Sequence, residues 1–302
     1  MKRFGALGAV VALVLSASTA LATPGSGVTS VELARGTSAA AYQITAAAGC
    51  QVATQTATFA PGATSGWHTH PGRVVTIVKS GTLSLWYSSD CAKRTYTTGQ
   101  AVVVPGTGIY DLGRNEGSTP LVIVQTYFDV PILGPLRTDA PAPQCSTTVP
   151  AVPQDMVASG ITTVLHARVT VAPAISINGV ANTDLSIQQV TWGAGGTTGW
   201  HKHPGQNAVL VSSGELTYVH LDCSQTPYPA GSGFIDPGVN THQATNDGDV
   251  PAVAFVTFTN LPIGAATRID VPVGPTCGQN GQEGTNEPDG DNNDGEHDDQ
   301  GD

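Results

Sequence analysis

The sequence predicts an all-β protein built from two tandem strand barrels. After residue 22 the chain carries many short runs rich in Val, Thr and Ile, separated by Gly and Pro and without helical periodicity. The second observation is an internal repeat: the segment Gly-Trp-His-Thr-His-Pro-Gly at residues 66–72 returns as Gly-Trp-His-Lys-His-Pro-Gly at residues 199–205. The repeat therefore divides the strand-rich region into two copies of one domain.

The first 22 residues are typical of a cleaved secretory signal. Lys2 and Arg3 precede a short apolar run, and small residues ending in Ala-Leu-Ala at 20–22 supply a cleavage pattern. A membrane anchor is the alternative, but the run is too short to span a bilayer comfortably. The mature protein is thus expected to be secreted, in an extracellular, periplasmic or cell-surface space, with no membrane association.

The other end is strongly acidic. Residues 278–302 contain nine of the 23 acidic residues, no Lys or Arg and no aromatic residue, so this tail is predicted to be disordered. Much of the formal net charge of −11 lies here, and no basic patch indicates a nucleic-acid partner. A weak calcium loop at 289–300 is a minor alternative, because its sixth and twelfth positions lack the Gly and Glu that such a loop uses.

Matching positions place the N-terminal barrel at residues 28–146 and the C-terminal barrel at 158–277, with a linker at 147–157. Cys91 and Cys145 occupy equivalent places to Cys223 and Cys277, with the same separation in each copy, so one disulfide is expected in each barrel. Cys50 is left over. A buried free thiol is favoured there, with intermolecular pairing as the alternative.

Each copy carries a His-x-His pair, His68 with His70 and His201 with His203. Residues i and i+2 of an extended strand point to the same face, with Cβ atoms roughly 6–7 Å apart. Two imidazoles so placed can reach one metal ion at about 2.0–2.1 Å. The repeated pairs therefore predict a duplicated metal-site scaffold.

Around these pairs the chain resembles the cupin superfamily, as a secreted two-domain protein, or bicupin. The family's first motif is matched by Gly62, His68 and Gly81, and again by Gly195, His201, His203 and Gly214. Its second motif is matched in the second copy by Gly231, Pro237, His242 and Asn246. The resemblance implies two double-stranded β-helix (jelly-roll) barrels, each with a site inside its mouth.

The resemblance also shows where this chain departs from the family. The metal-binding Glu of the family falls on Val74 in the first copy and on Asn207 in the second. His201, His203 and His242 are nevertheless a complete His triad, which can hold Zn, Mn, Fe, Ni or Cu with an open position. Asn207 adds either a weak oxygen ligand or only a hydrogen bond. A histidine cluster bonded to itself and to water is the alternative to metal binding.

In the first copy the third His of the family falls on Asp111, after a one-residue insertion. His68, His70 and Asp111 resemble a two-His-one-carboxylate triad if Asp111 faces inward. An Asp111 that points to solvent is an equally open alternative, so the first barrel is expected to be largely structural.

The leading functional hypothesis is a secreted bicupin that binds a divalent metal, and a small-molecule ligand, in its C-terminal barrel. One alternative is a metal-dependent dioxygenase of the flavonol-cleaving bicupin type, although Asn207 cannot accept a proton as the family Glu does. Another is a non-catalytic extracellular binding or structural module. Association into a homo-oligomer is possible, and the sequence names neither substrate nor metal.

Overall fold

The computed structural model describes residues 25–144, 153–272, 274, 275 and 277. Every helix or strand in these ranges is a β-strand, which confirms the all-β fold class. The first copy contains β1 (Ser26–Ser38), β2 (Tyr42–Ala46), β3 (Cys50–Thr64), β4 (His68–Thr69), β5 (Val74–Ser80), β6 (Thr82–Tyr87), β7 (Lys93–Thr97), β8 (Gln100–Val104), β9 (Asp111–Arg114), β10 (Leu121–Val130) and β11 (Thr138–Asp139).

The second copy repeats this order. Its strands are β12 (Ser159–Val171), β13 (Ile175–Gly179), β14 (Thr183–Thr197), β15 (His201–Lys202), β16 (Asn207–Ser213), β17 (Glu215–His220), β18 (Gln225–Pro229), β19 (Ser232–Asp236), β20 (His242–Thr245), β21 (Ala252–Leu261) and β22 (Ile269–Asp270). Across the described ranges no helix has the length and apolarity needed to cross a membrane. The predicted signal and acidic tail lie outside these ranges.

Each barrel consists of two facing layers of strands. In the first barrel one layer runs β3, β10, β5 and β8, and the other runs β7, β6, β9, β4 and β11. The second barrel uses the equivalent strands in the same order. Alternate side chains point between the layers and form a separate apolar core in each barrel.

The first strand of each copy belongs to the other copy's barrel. β1 pairs antiparallel with β14 of the second copy, and β12 pairs antiparallel with β3 of the first. Val31 faces Gln189, and its repeat equivalent Val164 faces Thr56, which is the repeat equivalent of Gln189. The two registers are equivalent, so the exchange is reciprocal. Each folded barrel therefore contains one long strand that comes from the other copy.

A shared core joins the two barrels. β2 and β13 form a two-stranded sheet across the copies, with Ile44 opposite its repeat equivalent Ile177. Both side chains are fully buried in an apolar cluster drawn from both copies. Nearby, the hydroxyls of Thr126 and Thr257 lie 2.7 Å apart in the interior. Burial on this scale joins the two copies into one structural unit.

The cysteines follow the expected pairing where the structure describes them. Cys223 and Cys277 form a disulfide with Cα atoms 5.4 Å apart. Cys91 is also disulfide-bonded, but its expected partner, Cys145, lies outside the described residues. Cys50 is a buried free thiol, as favoured from the sequence.

Removing the C-terminal disulfide is expected to lower the free energy of unfolding by about 4 kcal/mol. The bond closes a loop between residues 54 apart, and an open loop gives the unfolded chain more conformational entropy. Urea unfolding of Cys223→Ser/Cys277→Ser against the parent measures this loss. Cys50→Ala is the matched control and should cost about 1 kcal/mol. A double variant as stable as its parent would contradict the prediction.

Candidate metal centres

Strand pairing brings the three predicted histidines of the second barrel together. His201 on β15 lies directly opposite His242 on β20, and His203 follows two residues after His201 on the same face. Their ligand nitrogens all lie within 4.8 Å of one another, and all three side chains are buried. The structure thus assembles one cluster from two segments about 40 residues apart in sequence.

Backbone carbonyls fix the orientation of each imidazole in this cluster. The Nδ1 atoms of His201, His203 and His242 lie 2.9, 2.6 and 3.0 Å from the carbonyl oxygens of Gly199, Thr267 and Asn240. A carbonyl only accepts, so each Nδ1 carries the proton and each neutral ring keeps a bare Nε2. A bare imidazole nitrogen held by a hydrogen bond on its other nitrogen is the arrangement found at metal sites.

Burial keeps the rings of His201 and His203 neutral. Desolvation, reinforced by the neighbouring His242 and His203, lowers the pKa of His201 to about 2. Desolvation also lowers the pKa of His203, although the nearby Asp236 carboxylate opposes that change. Two of the three rings are therefore in the neutral form that a metal ion requires.

Asp236 is a cluster residue that the sequence analysis missed. It is buried at the end of β19, and its Oδ2 lies 3.5 Å from His203 Nε2 and 3.6 Å from His242 Nε2. The equivalent residue of the first copy is Val104, so the signal available in the sequence was an Asp-Pro-Gly in place of a Val-Pro-Gly. A single repeat difference of that kind does not show which way the side chain points.

Asn207 makes a hydrogen bond within the cluster, and its role as a weak oxygen ligand stays a prediction. It lies opposite Asp236 on the neighbouring strand, and its Nδ2 donates a hydrogen bond to Asp236 Oδ2 at 2.9 Å. Of the two roles considered from the sequence, the structure shows the hydrogen bond. Asn207 Oδ1 is buried without a hydrogen-bond partner, so the site retains an unused acceptor.

In the first barrel Asp111 faces inward, which excludes the solvent-facing alternative. It starts β9 directly opposite His68 on β4 and is 3% exposed. Its Oδ1 lies 3.4 Å from His68 Nε2, and its Oδ2 lies 3.6 Å from His70 Nε2. Backbone carbonyls again lie 2.9 Å from the Nδ1 atoms of both histidines. This first-barrel cluster also fits a cation.

Burial is the main cause of the pKa shifts in the first-barrel cluster. Burial raises the pKa of Asp111 well above its usual value, against the opposing charge of Arg137. Burial lowers the pKa of His70 to about 4 and that of His68 well below normal. Asp111 Oδ2 has no hydrogen-bond partner, and a cation between it and the histidines would satisfy that oxygen.

Each cluster opens into a cavity, and the two cavities differ in character. The second has a volume of about 150 Å³ and largely apolar walls, whereas the first has about 90 Å³. The exchanged β1 contributes Val28 and Ser30 to the second cavity. Arg268 lines the second cavity, and its repeat equivalent Arg137 lines the first.

The remaining histidines of the described chain lie outside both clusters. His220 is exposed and packs edge-on against Tyr218. His166 lies 2.7 Å from the Thr56 hydroxyl and stacks on Phe255.

A family model described as a cupin domain matches the chain twice, at residues 55–127 and 188–258. The chain contains two tandem cupin domains. The auxin-binding proteins ABP19b and ABP19a of Prunus persica are 32% and 31% identical to it over 109 residues, which are 34% of this chain. The bicupin spans about half of those relatives, 52% of their length.

Solved structures similar to the bicupin include other cupins. Bacillus subtilis oxalate decarboxylase, in a study of its Mn(II) centres, is 12% identical, with a TM-score of 0.35 and coverage of 80% of each chain. A cupin 2 conserved barrel domain protein from Leptotrichia buccalis is 14% identical, with a TM-score of 0.27 and coverage of 74% of this chain and 90% of its own.

Proposed function

We propose that this bicupin binds a divalent transition metal ion through His201, His203 and His242, and holds a small molecule beside it. The observation that carries the proposal is the convergence of three bare Nε2 atoms, each fixed by a carbonyl on its Nδ1. Such a set suits Zn, Mn, Fe, Ni or Cu. A bound ion would supply Lewis-acid polarisation of a ligand in the cavity.

The first barrel supports a weaker second site. His68, His70 and Asp111 form a two-His-one-carboxylate set, which favours a divalent ion such as Fe²⁺. Its cavity is smaller than that of the second barrel and is lined by polar side chains that include Gln125 and Arg137. We therefore assign ligand binding to the second barrel.

The walls of the second cavity favour a small, mostly apolar ligand. Trp192, Phe234 and Phe258 line it, and Arg268 adds one positive charge that would suit an anionic group. A relative named for auxin binding supports a small molecule as the ligand class. The Cys223–Cys277 disulfide supports a secreted protein, because such bonds persist in oxidising compartments.

A dioxygenase is the second candidate function, and Asp236 is the observation that favours it. Asn207 cannot act as a proton acceptor, but the Asp236 carboxylate lies in the same cavity. Metal-dependent oxygen uptake with polyphenol substrates would support this candidate. The absence of uptake across such substrates by the metal-loaded protein would reject this candidate.

The metal proposal predicts that His201→Ala/His203→Ala lowers the metal content of the full-length protein to background when His68→Ala/His70→Ala is also present. Two of three nitrogen ligands are lost, and the remaining His242 cannot retain an ion against dialysis. Elemental analysis by mass spectrometry measures the ion-to-protein ratio, with His68→Ala/His70→Ala reporting the first barrel separately. His220→Ala, which removes an exposed histidine, is the control. Equal metal in the His201/His203 variant and the parent would overturn the proposal.

A further inference from the structure

Asp236 is held by three hydrogen bonds that aim one oxygen at the histidine cluster. The Tyr218 hydroxyl and the Gly238 backbone N–H donate to Oδ1 at 3.1 and 3.0 Å. Asn207 Nδ2 donates to Oδ2 at 2.9 Å. A buried carboxylate with this much support is fixed in one orientation, so the approach of Oδ2 to the histidines is built into the fold.

The contacts between Oδ2 and the histidines are not hydrogen bonds. The separations of 3.5 Å to His203 Nε2 and 3.6 Å to His242 Nε2 are too long. In the neutral tautomer that donates its Nδ1–H to a carbonyl, each ring has a bare Nε2. Lone pairs on oxygen and nitrogen then face one another in the interior, and a cation between them relieves that repulsion.

The spacing is the one that a shared ion would produce. Two donor atoms each about 2.0–2.2 Å from a tetrahedral ion lie about 3.4 Å apart. The Oδ2 distances to the two nitrogens match that value within a few tenths of an ångström. Asp236 Oδ2 is thus placed as a ligand atom beside His203 and His242.

The first barrel provides an internal comparison. There the positions equivalent to Asn207 and Asp236 are Val74 and Val104, which face each other as an apolar pair. Its carboxylate comes instead from Asp111, opposite His68. In each barrel one carboxylate meets the histidines, but it is carried on a different strand, and neither occupies the position of the family Glu.

We propose that Asp236 is the carboxylate ligand of the second-barrel metal, that it replaces the Glu missing at 207, and that Asn207 is its positioning residue. This rests on the proposed metal site. The resulting His₃Asp set carries one negative charge. It would bind a divalent ion more tightly than three neutral histidines and water.

The parent for this test is the full-length protein with His68→Gln/His70→Gln. These substitutions remove the first-barrel site, so that any zinc bound is bound in the second barrel. Zinc affinity is measured by competition with a chelator, and the ligand set is read from the electron paramagnetic resonance spectrum of the Cu²⁺-loaded protein. Asp236→Asn is expected to weaken zinc binding by more than about 100-fold and to change the copper spectrum. Loss of a merely positioning partner, as in Asn207→Ala, should cost about 10–100-fold and retain the spectrum.

A rescue variant and a measurement without substitution complete the design. Asp236→Asn/Asn207→Glu moves the carboxylate to the family position and is expected to restore zinc binding to within about 10-fold of the parent. In the parent labelled with ¹³C at the aspartate carboxyl, zinc loading should shift a labelled carboxylate band in the infrared spectrum. This second measurement decides the question even where Asp236→Asn fails to fold.

The outcomes separate the two proposals. A parent that binds zinc while Asp236→Asn binds it equally well, with the same copper spectrum and no labelled infrared shift, would overturn the role of Asp236 and leave the histidine site standing. A parent that binds no zinc would overturn both proposals. Intact folding of each variant is checked by circular dichroism and by the Cys223–Cys277 disulfide.

Discussion

The isolated first copy, residues 25–146, is expected not to fold as a monomer. In the whole chain its β3 pairs with β12 of the second copy, and its own β1 pairs with β14. Alone, the fragment would expose the edge of β3 and leave β1 without its partner. A domain is stable by only about 5–15 kcal/mol, so the loss of a long central pairing is expected to remove that margin.

Any folded fragment is expected to be a dimer that exchanges β1 between two chains. The equivalent registers of β1 with β14 and of β12 with β3 mean that two first copies can repeat the reciprocal exchange. Circular dichroism and analytical ultracentrifugation measure folding and mass together. The chain covering residues 25–277 is the control and should fold as a monomeric unit. A folded monomer of residues 25–146 would show that the exchange is not required.

The metal-free protein is expected to lose stability steeply as the pH falls below about 6.5. Folding lowers the pKa of His201 to about 2 and that of His70 to about 4, so the unfolded chain takes up protons that the folded chain does not. Each such histidine lowers the free energy of unfolding by about 1.4 kcal/mol per pH unit below 6.5. Asp111 acts in the opposite direction, because its pKa is raised in the folded state.

Urea unfolding with a chelator at about pH 7, 6 and 5 measures this dependence. His201→Gln/His203→Gln removes two of the depressed groups and none of the carboxylates. The slope of stability against pH should therefore fall by up to about 2.7 kcal/mol per unit. His220→Gln, which alters an exposed ring, is the control and should retain the parental slope. Equal slopes in the double variant and the parent would contradict neutral burial of these histidines.

The sequence was sufficient to predict the all-β fold and the histidines that form the second-barrel cluster. Alternating short runs of residues determine strands, and the repeated Gly and Pro positions determine where the chain turns. The His201 and His203 spacing places both rings on one face because strand side chains alternate, and the second motif adds His242. These are local properties of the chain, so they can be inferred without coordinates.

The tertiary structure decided what depends on pairing between distant strands. Because the sequence is repeated, β1 could pair with a similar strand in either barrel. Only the folded chain shows that it pairs with the other copy. Asp111 faces inward because β9 pairs with β4 at His68. Asp236 enters the cluster because β19 lies beside β16, where Asn207 holds it. Which side chain completes a site is set by strand neighbours and register, and these arise from packing of the whole molecule.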